Sequence, residues 1–241
     1  SLADCELTHL PRQAFDLERA IRQHAAYVRT LKAAGLGVTV LPEAPHLPDA
    51  VFVEDPVVVL DELAVLCRPG APSRWPEVAL MESAVVGLRP VFCIQSPGTL
   101  EGGDVLRIGR TLFTGRSGRT NAEGIAQLRR LVEPHGYTVS EVPVNGCLHL
   151  KTAVTSPAPG LLLANPEWVD LTAFGGLEVI AVPDSEPRGA NTLTVNGRVL
   201  VSASAPRTAE RLRARGLDVV EVDVSELEKA EAGLTCLSVL F

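Results

Sequence analysis

The sequence predicts an α/β protein assembled from five repeated units of about 45 residues, and two observations predict it. First, a helical pattern ends in Gly and flows into a β-rich run five times over: "AAGLGVTVLP", "VVGLRPVFCI", "PHGYTVSEVP", "FGGLEVIAVP" and "ARGLDVVEVDV". Gly just past a helix end takes the left-handed conformation without strain, and the Val and Ile that follow favour strand. Second, a polar loop follows each run; the five carry "LPDAVFVEDP", "TLEGGDV", "NGCLHLK", "RGANTL" and "AGLTCLS". Taking one polar residue from each, Asp55, Glu101, His149, Asn191 and Cys236, gives successive spacings of 46, 48, 42 and 45 residues.

The elements follow in order. A first helix is expected over about 17–34, with no strand material ahead of it. Pro76 and Pro166 suit the first position of later helices, because a first-turn N–H has no intrahelical partner to lose. Thr120 with Glu123 forms a capping box that starts another. Val-Asn-Gly at 144–146 and again at 195–197 signals hairpin turns. Five such units can stack as an open solenoid or close into a ring. In a ring the five loops converge on the axis, and the strand holding Cys236 fills the gap ahead of the first helix.

Composition bounds the function. The chain has 241 residues, 46% hydrophobic and 21% charged, enough for one domain over 1–241 with a proper core. Its net charge of −7, with no basic tract, argues against nucleic acid and acidic membrane surfaces and suits a cationic ligand. No apolar run approaches the roughly 20 residues of a membrane span, and no charged-then-apolar leader opens the chain; a cytoplasmic setting is expected. The five cysteines, Cys5, Cys67, Cys93, Cys147 and Cys236, are scattered and never spaced C-x-x-C. No two histidines have H-x-x-x-H spacing, so neither a disulfide framework nor a structural metal is expected.

The loops nonetheless carry chemistry rather than turn residues alone. A Cys with a His elsewhere is a candidate nucleophile pair. Taken alone, His149 between its leucines reads most simply as a core histidine, but its place in the periodic series sets it beside Cys236. Asp49, Glu54, Asp55, Glu101 and Asp104 form a negative socket of the kind a guanidinium or amine requires.

At these residues the chain resembles a known family. From about residue 18 to the end, "LPDAVFVEDP", "RPGAPSR", "LEGGDV", "GRSGRTN", "LHLK" and "ELEKAEAGLTCLS" are similar, in order, to motifs of the dimethylarginine dimethylaminohydrolases. These belong to the guanidino-group-modifying (amidinotransferase, or pentein) superfamily. The resemblance implies a five-bladed α/β propeller with pseudo-fivefold symmetry. It also implies hydrolysis of Nω-methylated arginine to citrulline and methylamine or dimethylamine, without cofactor. Carried over by position, Cys236 is the nucleophile, His149 the general acid/base and Glu101 the carboxylate that orients it. Asp55, with Glu54 and Asp49, grips the guanidinium, while Arg74 and Arg119 bind the α-carboxylate. Ala230 and Glu231 line the site, Glu231 standing where many members have Asp, and Leu7 corresponds to a lid residue. The chain opens at Ser1 without the family's leading strand, so a trimmed N-terminus is expected.

The chemistry suits these residues. A guanidinium carbon is a poor electrophile, so carboxylates must hold it rigidly opposite a strong nucleophile. A free thiol has a pKa of about 8.5 and is mostly protonated at neutral pH; the bound guanidinium would itself favour the thiolate. The expected partner is a small guanidino molecule, and the expected assembly a monomer or homodimer. The alternatives are an arginine deiminase acting on free arginine, which usually carries an inserted helical module not evident here, and a catalytically silent scaffold.

Overall fold

The computed structural model describes residues 2–241. Its elements are α1 (Leu17–Ala33), β1 (Val57–Val59), β2 (Ala64–Leu66), α2 (Glu77–Val85), β3 (Val91–Cys93), β4 (Val105–Ile108), β5 (Thr111–Arg116), α3 (Ala122–Val132) and β6 (Thr138–Pro143). They continue with α4 (Leu150–Ala153), β7 (Val154–Ala158), β8 (Leu161–Ala164), β9 (Glu178–Ala181), β10 (Leu193–Val195), β11 (Arg198–Ser202), α5 (Pro206–Arg213), β12 (Asp218–Val222) and α6 (Ser225–Glu228).

The repeat is visible in the sheets. Among the described residues there are four three-stranded sheets, ordered β1-β2-β3, β4-β5-β6, β7-β8-β9 and β10-β11-β12. In each, the first two strands form an antiparallel hairpin and the third lies parallel to the second, as in Leu112↔Val139 and Leu200↔Val220. A parallel return needs a crossover; α2, α3 and α5 supply three of the four. The crossover between β8 and β9 has only a 3-10 turn, Leu171–Phe174. The helix-ending glycines Gly35, Gly87, Gly136, Gly176 and Gly216 all have φ between 77° and 90°, as expected of left-handed helix ends.

Five buried clusters close these units into a ring. Val65 packs with Leu112 between the first and second sheets, Phe113 with Leu162 between the second and third, and Leu163 with Val199 between the third and fourth. Leu200 of the fourth sheet packs with Tyr27 and Leu31 of α1. Leu41 and Val239 pack against Val57 and Leu66 of the first sheet, which completes the circle. The fold is therefore the five-bladed α/β propeller.

Several local expectations are corrected. The run after Gly35 and the C-terminal segment 238–241 are not strands; side-chain packing of Val38, Leu41 and Val239, not ladder hydrogen bonding, holds the fifth blade. Cys236 accordingly sits in a 3-10 turn, Thr235–Leu237, rather than in a strand. Helix α3 is capped by Asn121, whose Oδ1 accepts from the Gly124 N–H at 2.8 Å, because the Thr120 hydroxyl is turned inward to the Glu101 N–H at 3.1 Å. Pro166 opens no helix. The Asn165 side chain accepts from the Glu167 N–H at 3.0 Å and makes a local turn instead. Asn196 and Gly197, with φ of 48° and 82°, do turn the β10–β11 hairpin. Val144 to Gly146 does not, since Val144 bridges Val169 and Asn145 donates to the Trp168 carbonyl.

Candidate active site

Eight of the eleven residues singled out from sequence line one cavity of about 290 Å³, its open mouth included: Asp49, Asp55, Arg74, Arg119, His149, Ala230, Glu231 and Cys236. The ring brings them together: Asp55 precedes β1, His149 precedes α4, and Cys236 lies in the last turn of the chain's regular structure. Glu101 lies just behind the lining, fully buried at the start of the 3-10 turn Gly102–Asp104. That turn needs its glycine. A Cβ on Gly103 would sit 2.6 Å from His149 Nδ1 and 2.8 Å from Asp55 Oδ1, so no other residue lets these side chains close over it.

His149 is clasped by acid. Its Nε2 lies 2.6 Å from Glu101 Oε2 and its Nδ1 3.8 Å from Asp55 Oδ1. Burial alone would lower its pKa, but Asp55, Glu101 and Asp104 outweigh that and raise it to about 9. Burial works to raise the Glu101 and Asp55 pKa values, yet the imidazolium wins at both and holds them below the usual carboxylate range. At neutral pH the arrangement is an imidazolium between two carboxylates. The Cys236 thiol is pushed the other way: burial first, then the Asp55 and Glu54 charges, raise it to about 12, against the Gly233 N–H and Lys151. At neutral pH the sulfur is therefore protonated and the His charged.

Arg74 is buried and committed. It donates to Asp55 Oδ2 at 2.6 Å, to Glu77 from Nη2 at 2.8 Å, and to the Asp49 and Phe52 carbonyls. Arg119 makes a longer 3.4 Å contact to Glu101 and a 3.0 Å bond to the Thr8 hydroxyl. The N-terminal segment lies across the cavity. The Glu6 N–H donates to Asp49, and the N–H groups of Thr8, His9 and Leu10 donate to Glu231, a non-glycine residue held at φ 61°. Leu7 is half-buried against the core beside α1 and is not part of the lining.

Glu54 is also outside the lining. Its Oε1 takes the Lys151 ammonium and its Oε2 the Thr235 hydroxyl at 2.8 Å, so both oxygens are spent. Asp104 likewise accepts from the Leu150 N–H at 2.8 Å and the Ser117 hydroxyl at 2.6 Å. Sequence reasoning missed Lys151, Thr235 and Glu77. The first two stand inside quoted motifs, but a charge pair across 97 residues leaves no local signal. Asp55, Glu101 and His149 each offer a ligand atom within 4.8 Å of the others, close enough for a metal ion. The protonated imidazole is a donor at both nitrogens and competes with that use.

The carboxylates lining this cavity suit a cation with several N–H donors, and a thiol and a protonated imidazole share the lining. Comparison with known proteins agrees. A family model for N,N dimethylarginine dimethylhydrolase, eukaryotic, matches residues 11–154. The N(G),N(G)-dimethylarginine dimethylaminohydrolase of Streptomyces coelicolor is 45% identical over 99% of this chain and 92% of its own. That of Pseudomonas aeruginosa is 40% identical over 94% and 90%. A crystal structure of the Pseudomonas protein as a cysteine-to-serine mutant complexed with citrulline superposes with a TM-score of 0.94 at 39% identity, covering 98% of this chain and 93% of that one. The N-terminal domain of the cyanobacterial arginine dihydrolase ArgZ shares the fold, with a TM-score of 0.84 at 23% identity over 92% and 86% of the chains.

Proposed function

The chain belongs to the dimethylarginine dimethylaminohydrolase family, and we propose on that premise that it hydrolyses Nω-methylated arginine to citrulline and methylamine or dimethylamine through a covalent intermediate on Cys236. One observation carries the reading: a buried thiol and a buried imidazolium share one cavity with Asp55, whose neighbours leave it ionised.

The reaction follows from these charges. The guanidinium docks against Asp55, with Asp49 adding negative charge, and its positive charge lowers the pKa of the nearby thiol. Cys236 loses its proton to solvent and the thiolate attacks the guanidinium carbon. His149, protonated and oriented by Glu101, gives its proton to the departing amine as the C–N bond breaks, leaving a thiouronium on sulfur. The neutral imidazole then takes a proton from water, the hydroxide adds to the carbon, and the C–S bond breaks to release citrulline and the thiol. Arg119 holds the α-carboxylate by its planar fork, and Arg74 braces Asp55 while adding positive charge on that side. Ala230 and Glu231 shape the wall, and Leu7 belongs to the segment that covers it.

We further propose one domain over the whole chain, acting as a monomer or homodimer in the cytoplasm without nucleic-acid partners. The net charge of −7 and the free cysteines support this. The deciding experiment incubates the protein with asymmetric dimethylarginine, monomethylarginine and arginine and measures citrulline. Methylated substrates should be turned over and arginine poorly. Cys236→Ser should abolish turnover, and acid-quenched wild type should show a mass adduct on Cys236. Turnover of arginine alone would favour a deiminase instead.

A further inference from the structure

Asn191, the fourth member of the periodic loop series, takes no part in the chemistry above. The structure nevertheless ties it to the nucleophile. It is 6% exposed, and its side chain makes three hydrogen bonds. Its Oδ1 accepts from the Thr235 N–H at 3.1 Å, and its Nδ2 donates to the Thr235 hydroxyl at 3.1 Å and to the Lys151 carbonyl at 3.0 Å. The Thr235 hydroxyl donates onward to Glu54 at 2.8 Å, and Glu54 holds the Lys151 ammonium. Two residues before Thr235, Gly233 presses against the same amide. A Cβ there would lie 2.2 Å from Asn191 Cγ and 2.3 Å from its Oδ1, so the turn approaches this closely only because residue 233 has no side chain. The Gly233 N–H in turn donates to Cys236 Sγ at 3.4 Å.

We infer that Asn191 is a positioning residue: by gripping Thr235 and the face of Gly233, it fixes the turn that aims Cys236 Sγ and directs the Gly233 N–H at the sulfur. The inference rests on the reading of Cys236 as nucleophile. Rotating the turn would leave buried donors and acceptors of Asn191, Thr235 and Glu54 unpaired, and each such group is costly. One conformation is therefore strongly preferred. The grip also matters electrostatically. The carboxylates around Cys236 oppose a thiolate, and the Gly233 N–H, like the Lys151 ammonium, favours it. The network ties Asn191 both to the turn that supplies that N–H and, through the main chain and Glu54, to Lys151.

The test uses the full chain in a Cys93→Ser background, because Cys93 is the exposed cysteine and the other four are buried. Two quantities are read: steady-state citrulline formation from dimethylarginine, and the rate of Cys236 alkylation by iodoacetamide at about pH 9, followed by intact mass. Asn191→Ala and Thr235→Val should lower kcat about ten- to hundredfold, the scale of a misplaced reacting group, with KM changed less than about threefold. Both should also slow Cys236 alkylation at that pH about threefold or more. Thr235→Ser, which keeps the hydroxyl, should recover most of both losses. Wild-type kcat in folded Asn191→Ala and Thr235→Val overturns the inference. So does a fall in kcat with an unchanged alkylation rate, since that marks a general brace of the fold. If Asn191→Ala does not fold, the contrast between Thr235→Val and Thr235→Ser decides. Absence of citrulline from the wild type would sink the proposed reaction, while the alkylation rates would still report on the turn.

Discussion

Adjacent carboxylates 54 and 55 have opposite fates, and the difference lies in which charge each meets. Glu54 is taken by Lys151 and Thr235, whereas Asp55 meets Arg74 and a protonated His149 at the cavity wall. Removing one partner of a buried charge pair leaves the other unpaired, at about 2–5 kcal/mol. Asp55→Asn should therefore lower kcat/KM about a hundredfold or more, and steady-state kinetics with dimethylarginine checks it; wild-type kcat/KM would place the guanidinium grip elsewhere. Arg119 is the freer arginine, with one long contact to Glu101 and one bond to the Thr8 hydroxyl. Lys cannot reproduce its fork, and each charge-assisted bond is worth roughly 1.5–3 kcal/mol. Arg119→Lys should cut kcat/KM about ten- to hundredfold, mainly through KM, because the carboxylate is bound alike in ground and transition states. A substrate analogue lacking the α-carboxylate should be insensitive to the substitution. Equal slowing of that analogue would assign Arg119 to holding Glu101.

At the scale of elements, α3 shows how a cap and a catalytic support divide two adjacent residues. Asn121 satisfies the first turn of the helix and Thr120 the Glu101 backbone. Losing an N-cap side chain costs about 1 kcal/mol of stability. Asn121→Ala should lower the denaturation free energy by about that amount and leave kcat unchanged, since Asn121 is outside the cavity lining. Urea titration and citrulline assays read the two arms. A tenfold fall in kcat would show instead that the helix start reaches the site through Thr120. Both residues were visible in "GRSGRTN", but a capping box can begin at either, and the choice depends on whether a buried N–H elsewhere needs the hydroxyl.

For the whole molecule, the acidic clasp makes folding stability depend on pH. His149 titrates at about 9 in the folded chain against 6.5 in its ordinary state. Its contribution is thus fully present below about pH 6.5 and is lost as pH rises through about 9. Chemical denaturation at pH 6, 7.5 and 9.5 should show wild type losing this increment, and His149→Gln should not show the loss. A parallel pH dependence in both proteins would assign the effect to other groups, such as Glu77, which burial raises to about 7 even beside Arg74.

By itself the sequence determined the repeat, the helix-ending glycines, and which loops carry chemistry, because each is written locally or at a fixed period. The helix-ending glycines from Gly35 to Gly216 needed only their own backbone preferences to be legible, whereas Val-Asn-Gly turned a hairpin at 195–197 but not at 144–146. The order of motifs from Asp55 to Cys236 was enough to identify the family. What only the tertiary structure decided is where charges end up: Glu54 turned to Lys151, Arg74 locked between Asp55 and Glu77, and Asn191 clamped on the nucleophile turn. Side-chain packing without strand pairing in the fifth blade belongs there too. These outcomes depend on desolvation and on partners from distant repeats, and such energies exist only once the ring has closed.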